Sequence, residues 1–275
     1  MSVGPVAIGV GAAAAADGAG VWHPIRGVLC LFVAVFLQVA VNFANDYSDG
    51  IRGTDARRVG PSRLTGSGRA APRTVLVVAL VFFALAALVG LALIIRTQYW
   101  WLLIVGVAAI AAGWFYTGGK HPYGYYGLGE VFVFAFFGLV ATAGTTYLLA
   151  GTVTQEAWYG GTGAGLIACA VLMVNNIRDI DADRTAGKRT LAVLIGDRPS
   201  RVVFCVLLLF PFAIAALLNI FYPAVTLVYF VLLLAIPACI ITVTAKTSRE
   251  LVLALQLASF SGLAYGILLG VALAF

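Results

Sequence analysis

The sequence predicts an all-α integral membrane protein with about nine transmembrane helices around a central cavity, in a single domain over residues 1–275. The first indication is composition, since hydrophobic residues make up 62% of the chain and charged residues only 10%. A soluble domain carries about a quarter charged residues. The second is that polar connections divide the chain into apolar runs of roughly 18–25 residues, each long enough to cross a bilayer as a helix.

The nine predicted spans follow one another along the whole chain. In order they are about 3–20, 25–45, 74–95, 98–117, 128–150, 157–177, 202–221, 223–245 and 250–274. The first is the weakest, because it is rich in Ala and Gly and contains Asp17. It lacks the basic lead-in of a signal peptide, so we interpret it as a span. In the sixth span, the spacing of Gly161 and Gly165 predicts close helix packing.

Basic residues predict the orientation. In a nine-helix topology, all of the 17 Lys and Arg residues except Arg26 and Arg96 lie on one side, mainly in the connections 46–73 and 178–201. By the positive-inside rule that side is cytoplasmic. We therefore expect a multi-pass protein of the plasma membrane, with a basic face that attracts lipid headgroups or a phosphorylated substrate. Nucleic acid is not an expected partner, because no soluble domain or basic helix is present to bind it.

Two acidic motifs carry the functional signal. Each has an Asn followed by two Asp residues at helical spacing: Asn42, Asp46 and Asp49 in the first, and Asn175, Asp179 and Asp183 in the second. This spacing places each set on one helix face. Carboxylates at the membrane edge are costly and usually pair or bind a ligand. Two matching sets favour a ligand site over salt bridges that merely shape a loop, and they predict that two halves of the chain share one cavity.

The oxygen-rich motifs predict a magnesium site. Calcium does not fit, because residues 179–190 begin like an EF-hand loop but have Arg184 where Gly is required and Thr190 where Glu is required. Mg²⁺ is commonly held by one or two carboxylates plus substrate phosphates. The neighbouring Arg and Lys side chains suit those phosphates. Carboxylates, Mg²⁺ and basic residues together predict a clamp for a diphosphate.

Cysteine and histidine offer no alternative metal site. The four cysteines, Cys30, Cys169, Cys205 and Cys239, each stand alone in an apolar run and are expected to be structural. His23 and His121 have no second His four residues away.

Two other functions fit the acidic motifs less well than a diphosphate clamp does. The stretch from Asp46 to Gly50 matches the start of the motif of CDP-alcohol phosphotransferases. That motif continues with Ala-Arg and two nearby aspartates, whereas Gly53 and Thr54 follow here. A transporter would carry its polar site near the bilayer midplane, but these acids lie at one edge among basic residues.

Three stretches resemble the UbiA-type intramembrane aromatic prenyltransferases. "NDYSDGIRGTD" (45–55) is similar to their first Asp-rich motif and "NNIRDIDADRTAGKRTL" (175–191) to their second. Tyr116-Thr-Gly-Gly-Lys120 matches the family's Tyr-x-x-x-Lys element after the fourth helix. The resemblance covers essentially the whole chain, and nine helices is the family's count. One departure is the N-terminus, where relatives carry a basic residue and Pro before the first helix.

Motif spacing resembles one branch of that family. Many relatives have a third Asp four residues after the second. This chain has Gly53 at that position, and its third acid comes two residues later, at Asp55. With residues 57–68 and the long second motif, this resembles the branch that prenylates 1,4-dihydroxy-2-naphthoate with decarboxylation to give demethylmenaquinol, in menaquinone biosynthesis. The alternative acceptors are 4-hydroxybenzoate and homogentisate.

The resemblance implies a prenyl diphosphate donor, an aromatic acceptor and Mg²⁺ as cofactor. It implies that Asp46, Asp49, Asp179 and Asp183 are both metal ligands and catalytic residues. It implies that Lys120 and Tyr116 are also catalytic residues. Tyr116 is also open to a simpler interpretation as a membrane-interface tyrosine. The residues expected to bind substrate are Asn42, Asn45, Arg52, Asp55, Arg63, Asn175, Asn176, Arg178, Asp181 and Lys188.

Overall fold

The computed structural model describes residues 1–16, 23–54 and 63–275, so Asp17 and Asp55 lie outside the described residues. The described chain is helical and contains no β-strand. Seven helices are long and apolar enough to cross a membrane. They are α2 (Pro24–Ile51), α3 (Pro72–Thr97), α5 (Gly129–Ala150), α6 (Gln155–Arg178), α9 (Asp197–Asn219), α10 (Pro223–Thr244) and α11 (Glu250–Ala274).

Two shorter apolar helices coincide with the remaining predicted spans. They are α1 (Val3–Ala14, 12 residues) and α4 (Leu102–Phe115, 14 residues). At 1.5 Å per residue both are shorter than the roughly 30 Å of a bilayer's hydrocarbon core. Every predicted apolar run therefore contains a helix, whereas the count of nine complete spans stays a prediction. Two short helices, α7 (Ile180–Thr185) and α8 (Leu191–Ile195), lie in the second polar connection.

Local sequence signals explain where several long helices begin and end. Pro24, Pro72 and Pro223 stand in the first turn of α2, α3 and the α10 segment, where a missing N–H costs nothing. The Thr154 side chain caps α6 by accepting the backbone N–H of Ala157. Gly151 ends α5 in the left-handed conformation (φ 75°) that glycine adopts without strain.

Helix α6 is the centre of the densely packed half of the molecule. Helices α1, α5, α9 and α11 all pack against it. Its small residues permit this, since a Cβ added at Gly138 of α5 would lie 2.5 Å from the Cα of Gly165 and 2.6 Å from the carbonyl oxygen of Gly161. The predicted close packing at Gly161 and Gly165 is confirmed.

Helix α1 is held against α11 by direct backbone contact. A Cβ added at Gly266 would overlap the Cα of Gly4, and one added at Gly270 would overlap the carbonyl group of Ala7. Without side chains between them, the two backbones approach closely and gain dispersion contacts along their length.

The other half of the molecule, formed by α2 to α5, is more open. A Cβ added at Gly90, Gly106 or Gly144 would meet no atom within 4 Å, and all three glycines line the same cavity. Helix α5 is π-helical over Phe134–Val140, a geometry that occurs often near functional sites. The fold thus combines a packed support with an open apolar chamber.

The two acidic motifs differ in backbone structure. The first lies wholly on α2, as its spacing predicts. In the second, α6 ends at Arg178 and Asp179 leaves helical geometry (φ −98°, ψ 9°), so Asp183 lies on α7. The continuous helix expected for the second motif is therefore interrupted at Asp179. The break at Asp179 turns the chain so that Asp183 still lines the same cavity as Asp179.

We expect Gly266→Ala to lower stability by about 1–3 kcal/mol, because the new methyl group must displace the backbone of α1. Gly90→Ala is the matched control, since its methyl group enters open space and Ala is the better helix former. The measurement is the unfolding midpoint of each purified variant in detergent. Equal midpoints for Gly266→Ala and wild type would contradict close packing of α1 on α11.

Candidate active site between the two acidic motifs

The ends of α2 and α6 meet at a polar cavity of about 60 Å³. Both motifs contribute to its wall, although they are far apart in the chain. Its lining includes Asn45, Asp49, Thr54, Arg63, Tyr116, Thr117, Tyr125, Asn175, Asn176, Asp179, Asp183, Lys188 and Thr190. The predicted sharing of one cavity by the two motifs is confirmed.

Asp49 is the buried link between the motifs. Its Oδ2 accepts a hydrogen bond from the Lys188 ammonium at 2.9 Å, and its Oδ1 accepts one from the Tyr125 hydroxyl at 2.8 Å. The Lys188 Nζ also lies 4.8 Å from the centroid of the Tyr125 ring. Burial lowers the pKa of Lys188, but the Asp49 carboxylate outweighs it and the net pKa is raised. Lys188 is therefore a protonated cation inside the site.

Asp179 pairs with its neighbour Arg178. The guanidinium donates to both carboxylate oxygens, at 2.8 and 2.6 Å, and to Oδ1 of Asn175 at 2.8 Å. Arg178 is 3% exposed and does not line the cavity. It orients Asp179 and Asn175, and we therefore do not assign it the substrate contact that the sequence predicted.

Asp46 holds a loop in place. Its two carboxylate oxygens accept the backbone N–H groups of Leu64 and Thr65, each at 2.8 Å. The side chain is buried and does not line the polar cavity. In this structure Asp46 positions the segment that begins with Arg63, which does line the cavity.

The asparagines lie along the boundary with a second cavity. Asn45 lines both cavities and accepts a hydrogen bond from the Thr117 hydroxyl at 2.7 Å. Asn42 lines only the second cavity, and its backbone carbonyl oxygen accepts a hydrogen bond from the Arg63 side chain at 3.3 Å.

Three further predicted site residues do not line the polar cavity. Lys120 is exposed after a turn at Gly119 (φ 78°), a backbone angle that favours glycine. Arg52 donates to the carbonyl oxygens of Thr117 and Gly119. The Asp181 side chain is 92% exposed and pairs with Arg184. Asp55 lies outside the described residues. Among the described residues, the cations that line the polar cavity are Lys188 and Arg63.

The second cavity is larger and mostly apolar. It has a volume of about 370 Å³ and is lined mainly by α2 to α5. Tyr116 and Asn45 line both cavities, so they mark the junction between a charged compartment and an apolar one. Such a pair of compartments suits an amphipathic ligand with a charged head and a long apolar chain.

The model of the UbiA prenyltransferase family matches residues 2–260. The chain belongs to this family. It is a multi-pass membrane prenyltransferase, so the interpretations as a CDP-alcohol phosphotransferase or a transporter are set aside.

Curated relatives are consistent with the predicted branch. The chain is 46% identical over 244 residues to a 1,4-dihydroxy-2-naphthoate octaprenyltransferase of Mycobacterium tuberculosis, covering 89% of this chain and 77% of that protein. It is 38% identical over 208 residues to the protein of the same description in Escherichia coli, covering 74% and 68%.

Solved structures with low sequence identity share the fold. A UbiA homolog from Aeropyrum pernix superposes with a TM-score of 0.73 at 16% identity, covering 98% of this chain and 96% of that one. A UbiA homolog from Archaeoglobus fulgidus bound to GPP and Mg²⁺ gives 0.60 at 14% identity, covering 99% and 94%.

The donor set of this UbiA family member fits Mg²⁺ accompanied by phosphates. Within residues 1–16, 23–54 and 63–275, no three His, Cys, Asp or Glu side chains cluster tightly enough to hold a metal alone. The cavity wall nevertheless carries three carboxylates, Asp49, Asp179 and Asp183, beside three asparagines. Mg²⁺ commonly takes one or two carboxylates and completes its shell with water and phosphate oxygens, so a full protein cage is not required.

The residues that sequence reasoning missed include Tyr125 and Thr190, which line the polar cavity, and Glu130, which accepts a hydrogen bond from Asn176. Tyr125 gave no signal, since its bond to Asp49 spans 76 positions of the chain. Thr190 lines the cavity with a buried hydroxyl that has no hydrogen-bond partner among the described residues. Glu130 did give a signal, because it is the only charged residue in the apolar run 128–150.

We expect Lys188→Gln to raise the KM for prenyl diphosphate about 10- to 100-fold, because a charge-assisted contact of about 1.5–3 kcal/mol is lost. Lys120→Gln should raise it less, since Lys120 is exposed. Steady-state kinetics with saturating acceptor measure both. A larger rise for Lys120→Gln would mean that Lys120, and not Lys188, is the principal diphosphate cation.

Proposed function

We propose that this protein transfers a polyprenyl group from a prenyl diphosphate to 1,4-dihydroxy-2-naphthoate, with loss of CO₂, to give demethylmenaquinol in menaquinone biosynthesis. The observation that carries the proposal is the junction of a small charged cavity with a large apolar one at Asn45 and Tyr116. The acceptor follows from the curated relatives, which are described as 1,4-dihydroxy-2-naphthoate octaprenyltransferases. We assign residues 1–275 to one prenyltransferase domain.

The charged compartment binds the diphosphate. Lys188 and Arg63 supply positive charge, and Asp49, Asp179 and Asp183 would hold Mg²⁺ against the phosphates, with Asn175 and Asn45 as further oxygen donors. Bound Mg²⁺ would neutralise negative charge on the departing diphosphate. Asp46 contributes indirectly by fixing the loop that carries Arg63.

The apolar compartment binds the prenyl chain and excludes water. When the C1–O bond of the donor breaks, both electrons leave with the diphosphate and an allylic cation forms at the junction. The ring of Tyr116 lies there and packs edge-on against Tyr123, with ring centroids 5.5 Å apart. An aromatic face stabilises a nearby cation by about 0.5–2 kcal/mol.

The electron-rich naphthoate ring then attacks C1. A carbon–carbon bond forms, the carboxylate leaves as CO₂, and the electron pair of its bond returns to the ring. The hydroxyl groups keep their protons and the product is a hydroquinone. We place the acidic motifs on the cytoplasmic face of the plasma membrane, because the neighbouring connections are basic and a charged acceptor arrives from water.

We expect the purified protein to release one ¹⁴CO₂ per prenylated product from [carboxyl-¹⁴C]-1,4-dihydroxy-2-naphthoate, and to lose this activity in EDTA until Mg²⁺ is restored. The assay supplies 4-hydroxybenzoate and homogentisate in competition and follows both gas and lipid. Prenylation of the benzoate with its carboxylate retained, or of homogentisate, in preference to the naphthoate would show that the acceptor assignment is wrong. Activity that survives EDTA would rule out the magnesium clamp.

We expect Gly106→Phe to shorten the longest prenyl diphosphate that the enzyme accepts, because the new ring would occupy the open space at Gly106. Geranyl diphosphate should remain a substrate. The matched control is Val107→Phe, which adds the same ring at a neighbouring position that is 67% exposed. Chromatography of products from a donor-length series measures the limit, and an unchanged limit in Gly106→Phe would exclude this cavity as the chain site.

A further inference from the structure

Glu130 is a buried carboxylate that the proposed mechanism does not use. It lies in the first turn of α5 and is 8% exposed. An ionisable group inside a membrane span is costly and usually functional. The positive end of the helix dipole favours an acid in a first turn, which makes the residue tolerable there. The dipole does not explain the specific partner that Glu130 has.

That partner is the Asn176 side chain of the second acidic motif. Asn176 Nδ2 donates to Glu130 Oε1 at 3.2 Å. Among the described residues Glu130 forms no ion pair, whereas Asp49 is paired with Lys188 and Asp179 with Arg178. The contact between Glu130 and Asn176 is therefore not a by-product of charge neutralisation.

The pair stands beside the junction of the two cavities. Asn176 lines the polar cavity, and Phe132 and Val133, which follow Glu130 on α5, line the apolar one. A Cβ added at Gly129 would lie 3.4 Å from the Tyr116 hydroxyl, so the first turn of α5 packs directly against the junction residue. Under the proposed function, this is where the acceptor ring must approach C1 of the donor.

The chemistry of the pair fixes the orientation of the amide. An asparagine side chain can turn either its oxygen or its NH₂ group toward a ligand. In the structure the NH₂ end donates to Glu130, and accepting hydrogen bonds is the only role open to an ionised carboxylate. The Oδ1 of Asn176 is then the end left to accept a hydrogen bond from a ligand.

We propose that Glu130 is a positioning residue that makes Asn176 a hydrogen-bond acceptor for a hydroxyl group of the aromatic substrate. This inference rests on the proposed function and adds a residue pair that selects a hydroquinone. The hydroxyl concerned is the 4-hydroxyl, because the 1-hydroxyl is adjacent to the substrate's own carboxylate. A hydrogen bond from the 4-hydroxyl to Asn176 orients the aromatic ring. It also favours positive charge on the ring while the carbon–carbon bond to C1 of the prenyl donor forms.

The test combines a double-mutant cycle with two acceptors. Wild type, Glu130→Gln, Asn176→Ala and the double variant are assayed with 1,4-dihydroxy-2-naphthoate and with 1-hydroxy-2-naphthoate, which lacks the 4-hydroxyl. Glu130→Gln lets the Asn176 amide turn either way, and we expect kcat/KM for the dihydroxy acceptor to fall about tenfold. The KM for prenyl diphosphate should stay unchanged, and the preference for the dihydroxy acceptor should fall by the same factor.

If Glu130 acts through Asn176, adding Glu130→Gln to Asn176→Ala changes nothing further. Glu156→Gln is the matched control, because Glu156 is also in the first turn of a long helix and accepts one hydrogen bond, from the Tyr222 hydroxyl at 3.1 Å, but lines neither cavity. Its kinetics should equal those of wild type.

Additive effects of the two substitutions, an equal loss with both acceptors, or wild-type kinetics in Glu130→Gln would overturn the inference. The inference would also be overturned if Glu130→Gln no longer bound an unreactive prenyl thiolodiphosphate, since that would make Glu130 a structural or donor-site residue. A wild-type protein that fails to prenylate the naphthoate would instead overturn the proposed function itself.

Discussion

The rest of the site depends on the ion pair between Lys188 and Asp49, which joins two distant parts of the chain. It connects the end of α2 to the loop after α7, and it is buried on both sides, with side chains 12% and 5% exposed. Burying two charges is repaid only when the geometry is good and further hydrogen bonds are present, and the Tyr125 hydroxyl supplies one to Asp49. Breaking one partner would leave an unpaired charge inside the protein. Both acidic motifs are thereby held around one small cavity.

The buried carboxylates in the described part of the chain are stabilised in three different ways, and each way indicates a different role. Asp46 accepts two backbone N–H groups and secures a loop. Asp49 and Asp179 pair with cations, while Glu130 accepts a hydrogen bond from the amide of Asn176. Asp46 lines no cavity and positions its neighbours, whereas Asp49 and Asp179 line the polar cavity and can present their carboxylates to a ligand.

Uneven packing gives the fold an open chamber that suits a long apolar ligand. Around α6, glycines bring backbones into contact and leave little free volume. On the other side, the glycines of α3, α4 and α5 face open space in a cavity of about 370 Å³. Glycine thus permits close helix contact in one half of the molecule and leaves open space in the other, depending on the residues that surround it. The rigid half carries the second acidic motif, so the charged compartment has a firm support beside the open one.

Hydropathy and residue spacing were enough to predict the helices and the first acidic face, because apolar run length and helical period are local properties of the chain. The likeness of the two acidic motifs predicted the shared cavity. Tertiary structure decided which residues enter the cavity. The break at Asp179 redirected Asp183, and the turn at Gly119 left Lys120 exposed. Lys188 meets Asp49 across 139 positions of the chain, and Glu130 meets Asn176 across 46. Such contacts depend on how helices pack and where loops turn, which no short stretch of sequence records.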